Sequence, residues 1–253
     1  MIIDGHVHMG KGDFGTLDEL KQDMQKAGID KAVLVPGGMI DVRRMTRYIT
    51  GVEKPKGDDI PNDVIEHIIH SEPDKFYGFY CVNPHKRREA VIDLENGIQK
   101  GFKGLKLAPI VHGFSLASKT VMELADLCGQ YNVPFYSHVL FSPGASTKKM
   151  AALAKEFPNT NFIIGHMGFG PADVDAMEYA AMYDNLYLET SQGSFAGIKT
   201  ALETCGSSKL IFGSEFPLYK PISSLMTIRE LNCKESDFDN ILYKNIQYLL
   251  NVK

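Results

Sequence analysis

Along this chain short apolar runs alternate with longer stretches in which apolar residues recur at helical spacing. The first run, Ile2-Ile3, leads into Asp4-Gly5-His6-Val7-His8, and the two-residue period of a strand puts His6 and His8 on one face. Thr16 then stands three residues before Glu19, the signature of a capping box, and the pattern predicts a helix to Ala27 with Gly28 closing it. Lys31-Ala32-Val33-Leu34-Val35-Pro36 follows as a buried strand, completing a β-α-β unit. The alternation recurs, with strands expected at 76–82, 104–108, 133–139, 161–166, 185–191 and 209–214. Helices are expected at 63–71, 88–100, 118–131, 147–157, 172–183 and 197–205. Eight strands separated by helices within 253 residues predict a (β/α)8 TIM barrel, a single domain over residues 1–253. An open doubly wound sheet is the competing architecture, but no Walker-type G-x-x-x-x-G-K-[ST] loop occurs.

One connection, residues 37–74, is long for a βα loop, which marks it as a lid or binding segment. Arg43, Arg44 and Arg47 lie at helical spacing within it, so one face of that loop carries positive charge. Charge runs are usually solvated faces, and that is the favoured account. Arg43 and Arg44 nevertheless stand as candidates for holding a substrate anion.

Composition narrows the class. Hydrophobic residues make up 44% and charged residues 23%, enough for a sizeable core in a globular protein. A net charge of -4 leaves no basic footprint, which argues against nucleic acid and against an anionic membrane as partner. The four cysteines are scattered with no C-x-x-C pair, so neither a cysteine zinc knuckle nor a disulfide scaffold is expected. Neither a leader pattern nor an apolar run of about 18 residues is present, so the expectation is a cytoplasmic protein with a small-molecule substrate, with a homo-oligomer left open.

In (β/α)8 barrels chemistry sits at the C-terminal ends of the strands. His6 and His8 end the first predicted strand, His138 the fifth, His166 the sixth and Glu215 the eighth. A lone histidine after an apolar run is more often a hydrogen-bonded core residue than a ligand. Several converging on one barrel mouth reverse those odds, because one shared metal satisfies them together; catalytic zinc uses about three protein ligands and keeps a position for water. Glu215 would serve as ligand, as general base, or as both. Its bland alternative is a structural ion pair with a cation such as Lys106. Lys106 falls within the fourth predicted strand, where an inward lysine needs a partner or a lowered pKa, and it is a candidate substrate-binding residue. His112, beyond the same strand, is another.

These residues resemble the amidohydrolase superfamily, and within it the compact metal-dependent hydrolases that also include decarboxylases of the aminocarboxymuconate-semialdehyde type. The resemblance is carried by five motifs in order: Ile3-Asp4-Gly5-His6-Val7-His8, Gly101-Phe102-Lys103-Gly104-Leu105-Lys106-Leu107, Val133-Pro134-Phe135-Tyr136-Ser137-His138, Ile164-Gly165-His166-Met167-Gly168, and Ile211-Phe212-Gly213-Ser214-Glu215-Phe216-Pro217. The segment 241–250 is similar to the family's last helix. The resemblance implies a divalent metal, Zn²⁺ ahead of Mn²⁺, held by His6, His8 and His138, with His166 on the substrate or attacking water. Glu215 stands where the family has aspartate. TatD-like nucleases share the His-X-His start but have a carboxylate strand where this chain has Gly104-Leu105-Lys106, and rank well below. The resulting expectation is a metal-dependent hydrolase of a small carbonyl, amide or lactone-like compound. A non-oxidative decarboxylase of an unsaturated or aromatic acid is the alternative, and a metal-free binding barrel stands third.

Overall fold

The computed structural model describes residues 1–54, 59–170 and 172–252. Nine strand segments appear in chain order: β1 (Ile3–Met9), β2 (Lys31–Pro36), β3 (Phe76–Gly78), β4 (Tyr80–Cys81), β5 (Leu105–Leu107), β6 (Phe135–Ser137), β7 (Phe162–Ile164), β8 (Leu186–Glu189) and β9 (Leu210–Ile211). All ladders are parallel and join neighbours in sequence order, β1 to β3 and β4 to β9.

β3 and β4 are one barrel strand that changes partners at Phe79. The Phe79 amide donates to the Leu34 carbonyl at 2.9 Å, while the next amide, of Tyr80, donates to Gly104 at 2.8 Å. At the other seam, Gly5 N donates to Phe212 O, Glu215 N to His6 O and His8 N to Phe216 O, each at 2.8 Å. Eight barrel strands result, and the fold is the expected (β/α)8 TIM barrel.

The two-residue period sorts the strand residues into two clusters. Val33, Val35, Phe79, Tyr136, Ile163, Tyr187 and Ile211 pack together with Ile3 inside the barrel, joined by Ile246, Leu249 and Leu250 of the last helix. Their alternates, among them Leu34, Leu105, Phe135, Phe162, Leu188 and Leu210, pack in the larger cluster with helix residues such as Leu20, Leu94 and Leu124. Lys106 lies between two members of that larger cluster, Leu105 and Leu107, so its parity turns it inward.

The first helix, α1 (Leu17–Ala27), has the capping box read from sequence: Glu19 N bonds Thr16 Oγ1 at 3.3 Å and Thr16 N bonds Glu19 Oε2 at 2.9 Å. Gly28 closes it in the left-handed region at φ 70°. The remaining predicted helices form within a residue or two of their expected ends. The long 37–74 connection holds a short 3-10 turn at Val42–Arg44, the helix Met45–Ile49 and the helix Asn62–Ser71; its residues 55–58 lie outside the described residues. Among the described residues no helix is long and apolar enough to cross a membrane.

Candidate metal centre and active site

β1 carries a one-residue register shift against β2 between Asp4 and Val7, a bulge of the kind that re-aims side chains beside active sites. His6 is fully buried, and His8 lies next to it with ring centroids 4.7 Å apart. His138 follows β6 directly. His166 sits in the turn after β7 at φ 58°, and Glu215 beyond β9 at φ 60°. Both take the left-handed region, uncommon for residues other than glycine and concentrated at functional sites.

The rings converge. His138 and His166 have centroids 4.2 Å apart, and His6 lies 5.3 Å from His138 and 5.6 Å from His166. Glu215 Oε2 is ion-paired with His166 Nε2 and accepts from Gln192 Nε2 at 2.8 Å, while Oε1 lies 3.7 Å from His8 Nε2. One potential ligand atom from each of His6, His138, His166 and Glu215 falls within 4.8 Å of the others. Three imidazoles and one carboxylate form a donor set that suits a divalent first-row cation. His8 stands at the edge of that group, its Nδ1 3.3 Å from the Pro36 carbonyl oxygen.

Lys106 is inside the same cluster. Its side chain is buried, with Nζ 3.2 Å from His6 Nε2, 3.1 Å from His138 Nε2 and 3.8 Å from the centre of the Tyr136 ring. Among the described residues it makes no ion pair, so the Lys106–Glu215 pairing considered from sequence does not form. Burial lowers its ammonium to about 7, with Glu215 and Glu189 opposing the shift. A divalent cation fits between the two imidazoles once this ammonium turns aside or gives up its proton.

Burial and the Lys106 charge hold His6 and His138 well below the usual imidazole range, and burial brings His8 to about 4. These three rings are therefore neutral near pH 7, the form that ligates metals. For Glu215 burial pushes upward, but the charge and hydrogen bond of His166 and the nearby His6 and His8 prevail and hold its carboxyl below the ordinary range.

Two of the other candidates are taken up within their own loop. Arg43 is bound to Asp41 at 2.8 Å and Arg44 to Glu53 at 2.9 Å, both arginines largely exposed. His112 ends the short helix Pro109–His112 after β5, and its carbonyl oxygen lies 2.9 Å from His85 Nε2. Two residues absent from the sequence reading join the site: Gln192, bound to Glu215, and Glu189, bound to His6 at 3.2 Å. The signal for Glu189 was parity, since Leu186-Tyr187-Leu188-Glu189 puts the acid on the inward face with Tyr187.

A parallel eight-stranded barrel with a histidine-carboxylate cluster at the C-terminal strand ends defines a metal-dependent barrel enzyme. A family model for amidohydrolases matches residues 3–252, and the chain belongs to that family. No curated protein matches the sequence. Among solved structures, a TIM-barrel protein from Bordetella bronchiseptica superposes with TM-score 0.79 at 16% identity, covering 99% of this chain and 98% of that one. The 2,6-dihydroxybenzoate decarboxylase from Rhizobium gives TM-score 0.74 at 19% identity over 99% and 98%. A dihydroxybenzoic acid decarboxylase from Polaromonas, with bound manganese and 2-nitroresorcinol, gives TM-score 0.72 at 18% identity over 99% and 96%.

Proposed function

We propose that this protein is a metal-dependent, non-oxidative decarboxylase of a small aromatic or unsaturated carboxylic acid, in preference to the hydrolase expected first from sequence. One observation carries the choice: Lys106 is a buried amine set among the site histidines that, among the described residues, makes no ion pair with a carboxylate. An acid substrate supplies the anion that this buried amine lacks, which favours the decarboxylase. The decarboxylases of similar fold support the same reading.

In this reading His6, His138 and Glu215 hold the divalent cation, with His8 completing the set. When bound, the cation would supply charge that orients the substrate's oxygen atoms. Lys106 pairs with the substrate carboxylate. Glu215 and His166 face each other and would share the proton that the reaction needs. That proton passes to the ring carbon bearing the carboxylate, the carbon–carbon bond breaks, its electron pair restores the ring, and carbon dioxide leaves. Gln192 keeps Glu215 directed at His166.

The test is incubation of protein loaded with Mn²⁺ or Zn²⁺ with dihydroxybenzoates, esters and lactones, following carbon dioxide and hydrolysis separately. Carbon dioxide release that falls by roughly 10- to 100-fold in Lys106→Met, the worth of one charge-assisted contact, is the expected result. Hydrolysis without carbon dioxide would restore the hydrolase. Elemental analysis of protein prepared without chelator distinguishes zinc from manganese, and an absence of metal under every loading condition would favour a binding barrel.

A further inference from the structure

Glu189 has no part in the chemistry above, yet it is fully buried at the inward end of β8. Its Oε2 accepts from the Tyr136 hydroxyl at 2.7 Å, the Ser191 hydroxyl at 2.7 Å and the His166 amide at 3.3 Å, and Oε1 accepts from the Ser191 amide at 2.5 Å. His6 Nδ1 lies 3.2 Å from the same Oε2, 3.0 Å from the Tyr136 oxygen and 3.2 Å from Ser191 Oγ. The chain keeps room for this acid at Gly213, where a Cβ would fall 2.1 Å from Glu189 Oε1.

The pattern of donors decides which nitrogen of His6 carries hydrogen. Four donors surround the two oxygens of Glu189, so it meets its neighbours as an acceptor. The Tyr136 and Ser191 hydroxyls have one proton each, and the 2.7 Å contacts commit both to Glu189. Were the serine to turn to Glu215 Oε2, 3.4 Å away, its oxygen would still face Nδ1 with a lone pair. All three neighbours of Nδ1 therefore accept, so Nδ1 carries the hydrogen and Nε2 the lone pair. That Nε2 faces the centre of the cluster, where Lys106 Nζ meets it at 3.2 Å.

We propose that Glu189, with Tyr136 and Ser191, is a positioning residue that locks His6 in the Nδ1–H form and presents Nε2 to the divalent cation. Its consequence for metal binding rests on the function proposed above; the tautomer does not. A carboxylate behind a ligating imidazole fixes the ring and raises its basicity, and losing such a partner typically costs 10- to 100-fold in metal affinity.

Two measurements test this on the full chain. Nitrogen-15 NMR of histidine-labelled, metal-free wild type, with His6 assigned by its loss in His6→Asn, reads the tautomer directly. Hydrogen on Nδ1 is expected, and hydrogen on Nε2 overturns the proposal. Competition of Mn²⁺ and Zn²⁺ against a chromophoric chelator then compares wild type, Glu189→Gln and Glu189→Ala. Roughly 10- to 100-fold weaker binding is expected in Glu189→Ala, with partial recovery in Glu189→Gln, which keeps an acceptor oxygen. Unchanged affinity in a folded Glu189→Ala overturns the proposal. Should that variant fail to fold, the wild-type spectrum decides alone. Wild type that binds no metal would sink the functional reading, while the tautomer would still be settled by the spectrum.

Discussion

Lys106 offers a pH test that depends on a single side chain. Its folded pKa is about 7, whereas a lysine in an unfolded chain titrates near 10.4. Between these values the unfolded state binds the extra proton, so this residue makes stability rise with pH from about 7 upward. Urea unfolding of metal-free protein at pH 7, 8 and 9 is expected to give a steeper upward trend in wild type than in Lys106→Met. Equal slopes would show that the ammonium is not desolvated. The lysine itself was legible, because strand parity turns it inward; its contact with two imidazoles was not, since these come from strands distant in sequence. Arg43 and Arg44 show the opposite case. Their charge was plain in the sequence, but Asp41 and Glu53 of the same loop take it up. Glu189 was missed because parity turns it inward with Tyr187 only once Leu186 and Leu188 are known to face the helices.

Elements that rest on local rules were the legible ones. The Thr16–Glu19 capping box and the Gly28 cap are set by residues within one turn, so no tertiary knowledge is needed to place α1. Thr16→Ala is expected to cost about 1 kcal/mol, measured by chemical denaturation. Gly28→Ala meets no atom within 4 Å, so its cost comes from the left-handed backbone alone, about 1 kcal/mol, with metal affinity unchanged. Gly213→Ala separates from it sharply. There the new methyl strikes Glu189 Oε1 and approaches the His6 Cβ to 3.0 Å, so metal affinity should fall together with melting temperature. A Gly213→Ala protein that binds metal as wild type does would mean that the β9 end is free to shift. The left-handed turns at His166, Gln192 and Glu215 had no local signal, because none of these residues is a glycine that would announce one. They form where successive strand ends must aim polar groups at one point, a demand that only the assembled barrel makes.

Across the whole molecule the cluster draws on distant parts of the chain: β1, the residue after β6, the turn after β7 and the segment beyond β9. Two of these meet at the seam where the first strand joins the last. There Asp4 Oδ1 accepts from the amides of His6 at 3.2 Å and Ser214 at 2.9 Å. A cation bound by His6 and Glu215 would therefore bridge the seam, and one that also took His138 or His166 would tie in the opposite wall. Such a site barely exists in the unfolded chain, so binding free energy adds to folding free energy. At a metal concentration one hundred times Kd the gain is about 2.7 kcal/mol, or roughly 5–10 °C in melting temperature for a domain of this size. Calorimetry of the loaded and chelator-treated protein should show that shift, and His6→Ala and His138→Ala should abolish it while keeping a cooperative transition. A shift that survives in both variants would place the stabilising metal elsewhere on the protein.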